Sequence, residues 1–434
     1  MKIIVHRGAE EIGGSCIEVR TKQARVLLDY GAPLAKTDPV TRKSSPPSLK
    51  ETILDIPGLY GETELPISAI IISHTHQDHY GALFAKPINP GIKVYMTEIM
   101  EDMARITAKM PRDAKKLSAN VEYYRKGHRF VLGNIGITPF LMDHSASESF
   151  AFLIETEGKK IIYTGDFREH GSKGSAFRQF LATDMGQVDV LITEGTQADV
   201  EKGPSEPDTM GHIEALVGDK NGTLYVMCSG QNMDLIAGLA QLAKNTRRLL
   251  VVDGYTALLL ERLRILARKQ GVELKLPGLH TEYLKVVDNN ATKRIAELPE
   301  YAETYKRMRA KMLGWDAVRH SLGRLIIPVR ANAQHWVGQH IKDFSGAALL
   351  YSAWDSYKEE DGLPETLEYF KSRGLADIPM QTTGHAYFST IRKLVENKRP
   401  LNIIPVQTEH PEKFVKAFGK RVRVLKNGEE FFLY

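Results

Sequence analysis

His74-Thr75-His76-Gln77-Asp78-His79 places three imidazoles and a carboxylate in six residues, and the rest of the chain is read outward from it. The apolar run from Ile67 to Ile72 precedes it and reads as a buried strand. Gly81 follows, where a strand would give way to a loop and helix. A lone loop histidine is usually a solvated side chain. Four donors in HxHxDH order are not core packing, because desolvating an unpaired neutral polar group costs roughly 2–7 kcal/mol. A divalent metal is the partner that fits, since zinc, manganese and iron accept imidazole nitrogen and carboxylate oxygen. In an extended turn His74 and His76 point the same way. Asp78 and His79 are then aimed at a second ion, and dinuclear hydrolytic sites hold their metals ~3.5–4 Å apart.

The chain has 434 residues, 42% of them hydrophobic, enough for two or more domains with real cores. Lys+Arg total 58 and Asp+Glu 53, a formal charge of +5 with pI about 8.8. This mild basic excess permits a nucleic-acid partner without requiring one. Cys16 and Cys228 lie in apolar, strand-like runs and read as buried thiols, which suits a reducing compartment. The opening MKIIVHRGAEE is too short an apolar run for a signal peptide, and no stretch approaches the ~20 apolar residues of a membrane span. The expectation is a cytoplasmic protein with no membrane partner. Oligomeric state is not legible.

Lys2–His6, Cys16–Val19 and Ala24–Asp29 read as an antiparallel meander. Residues 36–50 read as an exposed Pro-, Ser- and Lys-rich loop at a substrate rim. A helix follows over Glu98–Met110, then strands within Arg129–His144, Ser149–Glu155, Lys160–Asp166 and Val188–Gly195. From about residue 200, helix and strand segments alternate, including a strand over 272–276, as in an α/β unit with a parallel sheet. The segment 281–320 reads as long, charged and helical, with Lys306, Arg307, Arg309 and Lys311 exposed. Val422–Leu425 and Glu430–Leu433 read as a hairpin around Asn427-Gly428.

HxHxDH resembles the signature of the metallo-β-lactamase superfamily. That resemblance implies the αββα sandwich, with His144 as a third histidine and Asp166 as a carboxylate bridging both metals. His74, His76 and His144 then hold the first metal, and Asp78 and His79 serve the second. Asp29, at the end of LLDYG, would orient a metal-bound histidine by a hydrogen bond. A narrower resemblance rests on Glu194 in ITEGT, Cys228-Ser229-Gly230-Gln231-Asn232, Val252-Asp253-Gly254-Tyr255-Thr256-Ala257, Trp354-Asp355-Ser356-Tyr357 and Thr382-Thr383-Gly384-His385-Ala386. These are similar to motifs of the β-CASP branch, the nucleic-acid-processing branch to which ribonuclease J belongs. It implies an inserted β-CASP α/β domain over 205–375, between metallo-β-lactamase parts 1–204 and 376–434.

The same resemblance implies roles. Metal-hydroxide attack on a phosphodiester of RNA or single-stranded nucleic acid is the expected reaction, with one or two Zn2+ ions, or Mn2+. Asp78, His385 and Glu194 are the expected catalytic residues, His385 as general acid held by Glu194. Ser229, Gln231, Asn232, Gln381 and Thr383 are expected at the substrate. Two positions depart from the family pattern: Gln381 opens the GHA motif and Gln407 stands in PVQTE, each where histidine is usual. An amide oxygen is a weak, neutral ligand beside imidazole. Three readings of Gln407 stay open: a second site that is weak or filled only with substrate, one tuned to a harder ion such as manganese, or an impaired enzyme. His410 lies three residues on, a poor replacement. The competing functions are a small-molecule metallo-hydrolase, an RNA-binding protein with an impaired second metal site, and an iron-using redox member, for which no flavin-domain segment is found.

Overall fold

A computed structural model of the protein describes residues 1–37, 44–111, 115–218, 221–272, 274, 276–359 and 362–434. Part of the expected rim loop, 38–43, lies outside them, as do 273 and 275 of the strand expected over 272–276.

Two sheets stack to form the first half of the molecule. One has seven strands in the order Glu430–Phe432, Lys2–Arg7, Cys16–Arg20, Arg25–Leu28, Ala69–Ile71, Lys93–Met96, Asn120–Tyr123. The expected meander is present, with Lys2 opposite Arg20 and Ile17 opposite Leu28, and beyond Leu28 the pairing turns parallel. The other has six strands, Asn402–Val406, Val190–Glu194, Lys159–Tyr163, Ser149–Thr156, Ile135–Met142, Phe130–Leu132. Side chains alternate along a strand, so each has two faces. Phe150, Phe152 and Ile154 share a core with Ile3, Val5 and Ile70 of the first sheet. Ala151 and Leu153 turn outward onto helices Gly174–Ala182, Phe388–Lys398 and Pro411–Phe418.

A third, seven-stranded sheet is parallel throughout and is built between Leu224 and Pro379. Leu224 and Val226 pack against helices Met233–Asn245 and Gly254–Lys269 on one face. Tyr225 and Met227 pack against Ala333–His340 and Leu363–Lys371 on the other. Helix Glu98–Lys109 joins the two halves: Met100 and Ala104 enter the sandwich core, while Ile99, Met103 and Ile106 enter that of the parallel sheet.

Two expectations fail. Segment 281–320 is not one long helix. It holds strands Leu284–Val287 and Met312–Leu313 and the short helices Asn290–Ala296, Ala302–Arg309 and Trp315–His320. The β-branched pair Val286–Val287 is drawn into the parallel sheet, against which local charge does not compete. Within it Arg307 pairs with Glu261 at 2.5 Å, so it is no free cation. The C-terminal hairpin is also absent. Glu430–Phe432 pairs with Lys2–Arg7, because Gly428 (φ +84°) donates its N–H to Val5 O at 2.7 Å and Asn427 Oδ1 accepts from Ala9 N at 3.1 Å. Among the described residues no helix is long and apolar enough to cross a membrane.

Glu18 and Arg25 are buried between paired strands, with Arg25 Nε 2.6 Å from Glu18 Oε1 and its Nη2 3.1 Å from Oε2. Burial alone would raise the Glu18 pKa; His6 and Arg25 outweigh it and hold the carboxyl down at about 2. The folded value lies below the unfolded one, so the stabilisation is complete above about pH 4.5 and fades as the pH falls towards 2. Glu18→Gln is expected to cost about 3 kcal/mol at pH 7 by leaving Arg25 buried without its counter-charge. In denaturant titrations its deficit against the wild type should shrink below pH 4.5.

Candidate metal centre

Strands from both stacked sheets end at one edge. Ala69–Ile71 leads into His74 and His76, Ile135–Met142 into His144, Lys159–Tyr163 into Asp166, and Asn402–Val406 into Gln407. The loop 74–79 is pinned through its carbonyls: Ser15 N donates to Asp78 O at 2.9 Å, Tyr30 N to His79 O at 2.8 Å, and Ala32 N to Gln77 O at 3.0 Å. Gly31 allows this approach, since a Cβ there would lie 1.7 Å from Asp78 O.

His74, His76, His144 and Asp166 each offer one donor atom, all within 4.8 Å of one another. His144 Nε2 lies 3.0 Å from His76 Nδ1, and His74 Nε2 lies 3.6 Å from Asp166 Oδ2. The far side of two rings is fixed. His144 Nδ1 donates to Gly384 O at 2.5 Å. His74 Nδ1 lies 3.1 Å from Ser73 Oγ, which donates onward to Asp29 Oδ2 at 2.8 Å. Both rings therefore turn an Nε2 lone pair inward. Burial first, and then the neighbouring imidazoles, hold His74 and His144 well below the usual histidine pKa; burial brings His76 to about 4. Neutral rings are what a metal requires. His74 Nε2 and Asp166 Oδ2 are buried without any hydrogen-bond partner, which is costly unless a cation meets them. The donor set fits a divalent metal ion.

Asp78, His79 and Asp166 form a second cluster beside the first. His79 Nδ1 lies 2.7 Å from Asp29 Oδ2, and Asp29 (φ +62°) also accepts from Ser73 N and Tyr163 OH, both at 2.6 Å. So Asp29 touches a histidine of the loop directly and His74 through Ser73. His79 Nε2 lies 3.2 Å from Asp166 Oδ2, 3.6 Å from Asp78 Oδ2 and 2.5 Å from Gln407 Nε2. Burial disfavours charge on this ring, but Asp166, Asp78 and Asp29 outweigh it and favour a positive charge at this spot.

Glu194, nearly fully buried, lies against His385: its Oε2 is 3.0 Å from His385 Nδ1, and its Oε1 accepts from Phe167 N at 3.0 Å and Ala386 N at 3.3 Å. Asp166 Oδ2 is 3.6 Å from the same Nδ1. Burial disfavours the imidazolium, yet Glu194 and Asp166 raise its pKa to about 9. Thr383 Oγ1 accepts from His385 N at 3.2 Å, so it shapes this loop. The other residues expected at the substrate have partners inside the fold. Gln231 Nε2 donates to Thr107 Oγ1 at 3.0 Å and Tyr255 OH at 2.9 Å; Ser229 Oγ accepts from Gln231 N at 3.2 Å; Asn232 caps helix Met233–Asn245. Gln381 is exposed and its amide reaches Ala353 O at 3.0 Å. His410 is part-exposed beside Glu412, 3.3 Å away, and has no contact with either cluster.

Several residues around the site escape sequence reading. Ser73 and Tyr163 support Asp29, and Gly13 N holds Gln407 Oε1 at 2.7 Å. Arg168 is fully buried. It donates to Thr383 O at 2.9 Å, Glu206 Oε2 at 3.2 Å and Asp234 Oδ2 at 2.6 Å, tying the His385 loop to helices Glu206–Val217 and Met233–Asn245. His170 Nε2 donates to the same Thr383 O at 3.1 Å. Of these only Ser73 had a signal, its place immediately before His74.

Residues 52–227 match a family model described as a beta-lactamase superfamily domain. The chain is 32% identical over 203 residues to an RNase J-like protein of Methanocaldococcus jannaschii, covering 44% of this chain and 41% of that one. It is 25% identical over 194 residues to a ribonuclease J of Sinorhizobium meliloti, covering 43% and 34%. Against a ribonuclease J 2 of Streptococcus pyogenes it is 20% identical over 453 aligned positions, covering 99% and 75%. The chain thus spans less than half the length of the first two relatives. A crystal structure of a protein of unknown function from Enterococcus faecalis V583 superposes with TM-score 0.73 at 19% identity, over 100% of this chain and 99% of that one, which establishes a shared fold.

Ser73→Ala should leave the fold in place but release His74 from its tautomer. The expected result is a 10–100-fold loss of divalent-ion affinity in competition with a chromophoric chelator. Unchanged affinity would mean that the Asp29–Ser73–His74 chain does not support the centre.

Proposed function

We propose that this chain, which carries a metallo-β-lactamase superfamily domain and is ribonuclease J-like, is a metal-dependent phosphodiester hydrolase acting on RNA or single-stranded nucleic acid. One observation carries the reading: a His74/His76/His144/Asp166 donor set lies beside a Glu194–His385 pair, with Asp166 Oδ2 3.6 Å from His385 Nδ1. Metal ligands alone would suit any hydrolase of the superfamily. A charged imidazole fixed next to them adds a proton donor, which a leaving alkoxide needs.

His74, His76, His144 and Asp166 would hold the ion, with zinc the first choice for a set rich in imidazole and manganese the alternative. When bound, a divalent ion supplies Lewis acidity to water and to phosphoryl oxygens. The protein's own part is positioning and proton transfer. Glu194 fixes the Nδ1 side of His385 and leaves Nε2 free to deliver a proton to the departing oxygen. With a pKa raised to about 9, His385 carries that proton at neutral pH. Asp78, half-buried with Oδ2 3.6 Å from His79 Nε2, would accept a proton from an attacking water.

The domain plan belongs to the same reading. Residues 1–204 and 376–434 make the sandwich and 205–375 the β-CASP insert. In support, the parallel sheet is separate from the other two, and Asn402–Val406 returns to pair with Val190–Glu194. The edge strand Asp377–Pro379 of the parallel sheet lies next to the proposed 375 boundary.

Cleavage of labelled single-stranded RNA, with Zn2+ and with Mn2+, tests this. His385→Ala should lower kcat by about 10²–10⁴-fold with bound metal unchanged. His76→Ala should lose both metal and cleavage while melting near the wild-type temperature. Wild-type protein that hydrolyses nitrocefin or a thioester but leaves RNA intact would sink the proposal in favour of a small-molecule hydrolase.

A further inference from the structure

Gln407 is buried at the end of strand Asn402–Val406, on a backbone with φ +52°, and its N–H donates to Gly8 O at 2.8 Å. The two ends of its amide face different partners. Oε1 accepts from Gly13 N at 2.7 Å. Nε2 lies 2.5 Å from His79 Nε2 and 3.4 Å from Asp166 Oδ1. An amide nitrogen donates and has no lone pair for a metal. The Gly13 N–H sets its direction, because turning the amide over would oppose that N–H with the NH2 group.

The NH2 end of the amide is therefore the end that faces the second cluster. His79 Nδ1 is engaged by Asp29 Oδ2 at 2.7 Å, so the Nε2 side of the ring is the one turned to Gln407. The amide nitrogen points at His79 Nε2 and Asp166 Oδ1. Those are two of the three residues that a cation in the second cluster would share.

We propose that the Gln407 amide stands in for the second cation, so that this chain holds one divalent ion, on His74, His76, His144 and Asp166, and excludes another from the Asp78–His79–Asp166 position. The carboxylates there favour positive charge; the two N–H dipoles of the amide supply a part of it without a metal. Position 407 is then the residue that sets metal number. This rests on reading the donor set as a metal centre, but not on the substrate.

The test is metal counting. Wild-type protein, stripped with chelator, is titrated with Zn2+ and separately with Mn2+, desalted and measured by inductively coupled plasma mass spectrometry. One ion per chain is expected, with one anomalous-scattering peak among His74, His76, His144 and Asp166 in crystals. Gln407→His and Gln407→Glu, each with its melting temperature recorded, should take up two. Two ions on the wild type, one ion placed at Asp78 and His79, or folded variants of both kinds that stay at one ion would each overturn the proposal. If both variants misfold, the wild-type peak count alone decides. No bound ion would instead remove the metal centre on which it rests, and one ion without RNA cleavage would support it while removing the nuclease reading.

Discussion

A buried carboxylate oxygen that lacks a hydrogen-bond donor is the constraint from which the site follows. Asp166 Oδ2 is enclosed at the edge of the sandwich, with imidazole nitrogens of His74, His79 and His385 at 3.2–3.6 Å and no hydrogen-bond partner. A charge in such a place costs several kcal/mol unless a counter-charge meets it. The surroundings meet it on two sides: His385 carries charge under the pull of Glu194, and Gln407 donates an N–H to Oδ1. On the third side burial holds the rings of His74, His76 and His144 towards the neutral form, and His74 and His144 turn Nε2 lone pairs inward. A cation there would meet both those lone pairs and the carboxylate.

Much of this is visible in the sequence because the loop 74–79 concentrates its donors within six residues. A strand end followed by alternating donors can be read locally, and so can the meander, whose period-2 pattern is short-range. His144 and Asp166 are different. Each is an ordinary residue at a strand end, and nothing in its neighbourhood says that the two meet His74; only the family pattern brought them in. Arg168 is beyond sequence reading altogether. It is a fully buried charged residue, held by Asp143, Glu206 and Asp234 from three separate segments. Pairings of that sequence separation leave no local trace. The failed C-terminal hairpin has the same cause: Glu430–Phe432 is captured by Lys2–Arg7 from the other end of the chain, where a two-strand hairpin alone would be marginal.

The Arg168 network also explains how two separately cored halves keep a common site in register. Its guanidinium touches the carbonyl of Thr383, two residues before His385, and carboxylates on helices Glu206–Val217 and Met233–Asn245. Its own backbone N–H binds Asp143 O at 2.7 Å, next to His144. A shift of these two helices would therefore have to break buried charge pairs before it could displace either histidine. Helix Glu98–Lys109 adds an apolar tie on another side, since its two faces belong to different cores. Between them these contacts hold the His144 and His385 loops in one register, which suits chemistry that depends on placing donors to within fractions of an ångström.

Backbone shape, more than side-chain preference, decides what reaches the second cluster. Asp29 and Gln407 both adopt left-handed φ at strand ends, a conformation disfavoured for non-glycine residues, and Gly165 does so beside them. Each is held there by hydrogen bonds made before its side chain is considered: Asp29 N to Ile71 O at 2.8 Å, Gln407 N to Gly8 O at 2.8 Å. The strand end aims whatever residue stands at 407 at His79 and Asp166. A carboxylate there would add to the negative field of Asp78, Asp29 and Asp166, and an imidazole would add a lone pair; either leaves the cluster short of positive charge. An amide held at its oxygen by Gly13 does the reverse, turning two N–H groups inward. The same scaffold can thus satisfy its carboxylates with a metal or with a side chain, and a single residue selects between them.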